Sequence, residues 1–136
     1  MPKRETDPRA LLPLTPVVLH MLLALAESDE LPLSSGKHGY ALAQEVEAMT
    51  DGQVRMGPGT LYGSIQRMLA SGLIEEVSRA RSGGRVRVSQ SDDDERRRYY
   101  RLTMLGHRAL GLELARLAQV VAIARAKRLL PSPEPA

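Results

Sequence analysis

The chain has 136 residues, 43% of them apolar and 26% charged, the size and balance of one ordinary globular domain. The absence of cysteine excludes disulfides, thiolate metal sites and cysteine nucleophiles, and fits a reducing cytoplasm. Its net charge of +3 is concentrated between Ser78 and Arg98, where seven arginines meet four acids; twelve basic and twelve acidic residues remain elsewhere. One basic arm on a neutral body suits a protein that touches phosphate at a defined place.

Residues 1–14, with three prolines and mixed charge, read as a loose arm. Lys3 and Arg4 ahead of the apolar run 17–26 imitate a secretory leader. However, Glu5 and Asp7 acidify its basic part, and Pro13, Pro16 and His20 interrupt the rest. The run is also shorter than the roughly 20 residues a bilayer span requires, so no membrane association is expected. Thr15-Pro16 is a helix start, a capping hydroxyl followed by proline at the first helical position, and it predicts a buried helix over 17–27. Phe and Trp are missing, so the core must rest on aliphatic and Met side chains, which favours packed helices.

A polar loop over 28–37 precedes a second helix from about His38 to Met49, with Leu42, Val46 and Met49 on one face and Asp51-Gly52 at its end. Gly57-Pro58 opens a third helix. Leu61, Ile65, Met68 and Leu69 mark its buried face, while Thr60, Ser64 and Arg67 fall on the polar face. Gly72 supplies a left-handed cap. Residues 73–77 and 98–102 read as strands of a hairpin around a long polar loop. Thr103 caps a last helix running to about Leu130, about 40 Å at ~1.5 Å per residue. Along it Leu110, Leu114, Leu117, Val121 and Ala124 recur at spacings of four and three, a heptad-like seam. A Pro-rich tail, expected to be disordered, closes the chain over 131–136.

The expected fold class is therefore mainly α with a small β-hairpin: a winged helix-turn-helix domain over 15–102, a dimerisation helix over 103–130, and short arms at both ends. Four blocks sharpen this. His38-Gly39-Tyr40, Pro58-Gly59-Thr60-Leu61-Tyr62, Gly72-Leu73-Ile74, and Tyr99-Tyr100-Arg101-Leu102-Thr103 with Gly106 occur in an order and spacing that resembles the PadR family of transcriptional regulators. The resemblance covers about residues 14–110, and the single last helix resembles the family's short-tailed branch. Gly63 stands where the family commonly has proline, and the wing is longer, with the acidic run Asp92-Asp93-Asp94-Glu95 beside Arg96-Arg97-Arg98.

The resemblance implies a homodimer on a double-stranded DNA operator, with the last helix crossing its mate and setting two third helices about one DNA turn apart. Thr60 and Tyr62 sit where the third helix would meet base edges and phosphates; the bland alternative is a cap and a packed ring. Ser64 and Arg67 divide evenly between groove contact and solvation. Arg79, Arg81, Arg85 and Arg87 lie in the wing beside Gly83-Gly84, where arginine can enter the minor groove or fork onto phosphate. His38 and Tyr40 open the second helix toward a phosphate, with packing of Tyr40 against the first helix equally open. His20 and His107 have no matching ligand set, and neither a metal, a cofactor nor a catalytic constellation is expected. Control by a small-molecule effector is left open. Some short-tailed relatives hold flat aromatic drugs with a tryptophan on the last helix, and Trp is absent here. The rival reading is a protein-interaction module docking another regulator; a small enzyme ranks below both.

Overall fold

In the computed structural model, the described residues are 6–26, 37–77 and 98–131. A 3-10 turn, Pro8–Leu11, is capped by Asp7, whose carboxylate accepts from the Arg9 amide. Helix α1, Pro16–Leu25, starts where the Thr15 hydroxyl accepts from the Val18 amide, and it buries Met21, Leu22, Ala24 and Leu25. Helix α2, Gly39–Met49, buries Leu42 and Val46. Met49 is exposed, because the end of α2 runs past the core that its periodic face addresses. Asp51 and Gly52 then turn the chain in left-handed conformations, and Thr50 Oγ1 closes that turn by accepting from the Val54 amide.

Helix α3, Pro58–Ser71, buries Leu61, Ser64, Ile65 and Met68 and ends at Gly72 with φ +83°. The Leu73 amide reaches back to the Met68 carbonyl, the paired closure that a left-handed residue allows. Strands β2, Ile74–Val77, and β3, Tyr99–Leu102, pair antiparallel with Ile74 opposite Leu102 and Val77 opposite Tyr99. A third strand, β1 at Lys37–His38, pairs with the other edge of β3, giving the order β1-β3-β2. The expected hairpin is thus a three-stranded sheet. Two polar residues carry no alternation, so nothing in the sequence marked β1.

Helix α4, Met104–Ala126, begins at Thr103, whose hydroxyl accepts from the Gly106 amide and also bonds the Gly72 carbonyl. Gly106 is where α4 crosses the start of the wing. A Cβ there would lie 2.0 Å from the Leu73 carbonyl oxygen, so only glycine permits this approach. The helix stops four residues short of the expected Leu130. Arg128 takes φ 63°, and the Leu129 amide folds back onto the Ala124 carbonyl.

One core joins α1, α2, α3, the sheet and the first turns of α4, with Met21, Leu22, Leu42, Val46, Ile65 and Met68 at its centre. Leu110 belongs to this core, only 4% exposed. Its place in the expected dimer seam is corrected on that ground: the first turns of α4 pack on their own domain, so the residue faces inward. From Leu114 onward no described residue of α4 is buried.

Candidate nucleic-acid interface

Helix α3 presents a surface face whose members follow from its helical angle. Thr60, Tyr62, Gln66, Arg67 and Ala70 are exposed, while Leu61, Ile65 and Met68 point inward. Ser64 is the correction on this face. It lies three residues after Leu61 and four before Met68, hence on the buried stripe, and is completely buried. Its hydroxyl sits 3.4 Å from an Arg67 guanidinium nitrogen, so it steadies Arg67 from below and is not itself a groove contact.

The N-terminus of α3 differs from that of α2. Gly57 stands at the N-cap and offers no side chain to the first-turn amides. In α2 the cap is His38, whose Nδ1 accepts from the Tyr40 amide at 3.2 Å, so that imidazole nitrogen is an acceptor here. The His38 ring also meets Tyr99 edge-on, at 5.7 Å between centroids, which ties the start of α2 to the root of the wing.

These two helix starts adjoin. A Cβ on Gly39, the first residue of α2, would lie 3.8 Å from the Tyr62 ring. Tyr40 beside it is 61% exposed and Tyr62 is 39% exposed. Tyr40 thus keeps most of its surface open to solvent. Thr60, Tyr62 and Arg67 are exposed on α3, and Tyr40 is exposed at the start of α2. Arg79, Arg81, Arg85 and Arg87 lie outside the described residues.

The strands that carry the wing are pinned by charge across the sheet. Arg101 Nε lies 2.6 Å from a Glu75 carboxylate oxygen, and Arg98 Nε 3.3 Å from Glu76. Tyr100, opposite Glu76 in the register, is buried, and burial, with the nearby Glu76 charge, pushes its phenol above the ordinary value. That ring is a core member and stays neutral.

A second polar centre went unread in the sequence. Glu113, on α4, is only 1% exposed and accepts three hydrogen bonds: Nε and Nη2 of Arg116 at 2.7 and 3.0 Å, and the Leu14 amide at 3.0 Å. Arg116, reinforced by that amide, holds the carboxyl below its ordinary range against the opposing effect of burial. The pair ties the N-terminal segment to α4. Glu113 falls on the buried stripe, three residues after Leu110 and four before Leu117, so its spacing is a signal of burial, whereas its partner at Leu14, 99 positions away, leaves no local mark.

Among the described residues no group of His, Asp and Glu could hold a metal ion, and no helix is long and apolar enough to cross a membrane. Three helices, a small antiparallel sheet and a long trailing helix, with one exposed face on the third, define a winged-helix-like domain of the class that transcription regulators use. The chain belongs to the PadR-like family of transcriptional regulators: that family's model matches residues 31–112, more than half of the chain. The family is one of regulators and not of enzymes. Comparison with curated proteins returns no match.

Proposed function

We propose that the protein is a homodimeric repressor that binds a palindromic DNA operator and is released by a small-molecule effector. The observation that carries this is the uncovered face of α3, where Thr60, Tyr62 and Arg67 stand on the surface beside Tyr40 at the start of α2. Thr60, Tyr62 and Arg67 read base edges and flanking phosphates in the major groove. The uncapped first-turn amides of α3 add a partial positive charge facing phosphate. The wing arginines, Arg79, Arg81, Arg85 and Arg87, anchor the backbone and fix the register.

The half of α4 beyond Glu113 supplies the dimer contact. Leu114, Val120 and Ile123 are exposed there, with Leu117, Val121 and Ala124 half-buried, an apolar surface that its own domain leaves open. Two copies crossing along it place two α3 helices on successive major grooves, and a changed crossing angle would spoil the half-site spacing. Regulation of this kind takes place in the cytoplasm.

Footprinting on the DNA upstream of the protein's own gene tests the reading. A protected two-fold symmetric site is expected, and no protection at low salt would reject it. Arg85→Ala and Arg87→Ala should each flatten the slope of log affinity against log salt by about 0.9 for a lost phosphate contact. An unchanged slope would move the wing contact to other residues.

A further inference from the structure

Beside α3, on the flank away from the start of α2, lies an open groove of about 510 Å³. One wall is the second half of α3, with Arg67, Ala70 and Ser71; the other is the N-terminal segment, with Leu11, Pro13 and Leu14. The volume falls in the range of small-molecule sites, roughly 300–1,000 Å³. Its lining is overwhelmingly apolar, and its one charge is Arg67 at the mouth. Among the described residues no carboxylate pairs with Arg67; its only neighbour of note is the Ser64 hydroxyl. An apolar trough with a single unpaired guanidinium at its rim fits a molecule with an apolar body and one anionic group.

The two walls belong to different machinery. The α3 wall is the back half of the DNA-reading helix. The other wall is moored to α4: the 3-10 turn packs on that helix, and the Leu14 amide donates to Glu113, which Arg116 clamps. Whatever wedges into the groove therefore bears at once on the reading helix and, through Leu14 and Glu113, on the helix that carries the dimer contact. It also draws the Arg67 guanidinium from DNA phosphate to the ligand's own anion.

We infer that this groove is the effector site, and that it takes a small amphipathic anion seated between α3 and the strap 11–14, its charge on Arg67. The effect on DNA rests on the function proposed above; the binding itself does not.

The test uses the full-length protein and decanoate as probe, with decanol as its uncharged counterpart. Amide shifts followed by NMR without DNA should perturb saturably at Leu11, Thr15, Val18, Ala70 and Ser71, with decanoate held about three- to tenfold more tightly than decanol. Arg67→Gln should remove that preference and leave decanol affinity within about twofold. Leu11→Glu, which places a carboxylate on the strap, should weaken decanoate at least tenfold. Shifts scattered elsewhere, equal affinity for the two probes, or intermolecular contacts from a second copy filling the groove would each overturn the site. In a second arm, saturating decanoate should weaken binding to the footprinted duplex by about tenfold or more. Unchanged duplex affinity would overturn the regulatory step alone. Failure of the protein to bind any duplex would overturn the DNA reading while leaving the mapped site standing.

Discussion

The two halves of α4 carry the same heptad-like pattern and live in different surroundings. Over its first ten residues Gly106, Ala109, Leu110 and Glu113 are all buried, pressed against the wing root, the core and the N-terminal segment. Beyond Glu113 the pattern continues through Leu114, Leu117, Val121 and Ala124, and none of these is buried within the chain. A periodic apolar stripe thus states that a face wants cover, and says nothing of what covers it. The near half finds its cover in its own domain. The far half leaves its stripe uncovered by its own chain.

This contrast can be broken most severely at Gly106. Gly106→Ala drives a methyl group into the Leu73 carbonyl, and the backbone must shift to admit it. A loss of about 3 kcal/mol in urea unfolding is expected; a loss below about 1 kcal/mol would mean that the near half is not rooted where it crosses the wing.

Glu113→Gln comes next. It keeps the shape but removes the charge that Arg116 and the Leu14 amide share, and about 1–3 kcal/mol should be lost at neutral pH. The sign with pH follows from the lowered carboxyl pKa. The unfolded chain takes up this proton first as pH falls, so the Glu113 contribution is complete above the ordinary value of 4.5. It fades as pH drops through the lower folded value. Denaturation of wild type and variant should therefore differ most near neutrality and converge in acid. A gap that stays constant down to about pH 3 would remove the ionic account of this contact.

The smallest effect on the fold is expected in the far half. Leu117→Glu together with Val121→Glu should change the domain's own unfolding by no more than about 1 kcal/mol, because neither side chain is buried within the chain. The mass measured by light scattering should meanwhile fall from dimer to monomer at micromolar concentration. If the variant instead unfolds, the far half packs within its own chain and the division of α4 fails.

Much of this organisation was legible where a residue type does one local job. Thr15 and Thr103 cap helices, Pro58 opens one and Gly72 closes it, each as its chemistry dictates. The exposure of Thr60, Tyr62 and Arg67 was equally readable, because helical angle alone separates them from Leu61, Ile65 and Met68. The misreadings share one cause. Ser64 reads as polar by its hydroxyl although its angle places it in the buried stripe, and Glu113, which the sequence reading does not single out, is held inside by three donors. Leu110 falls in the heptad register although the core reaches that far along α4. Burial is a long-range property: Glu113 is enclosed by a segment 99 positions away, and no local pattern announces that partner. Strand β1 is the same case in the backbone, two residues made a strand only by the neighbouring β3.

The central claim is that paired α3 helices read DNA through Thr60, Tyr62 and Arg67. Selection of bound sequences from a random duplex pool, with the wild-type protein and with Tyr62→Ala, tests it most directly. A two-fold symmetric motif should emerge for the wild type, its half-sites about one helical turn apart, and the information at the half-site centres should fall in the variant. A pool that enriches no motif, or the same motif at equal strength for both proteins, would contradict it.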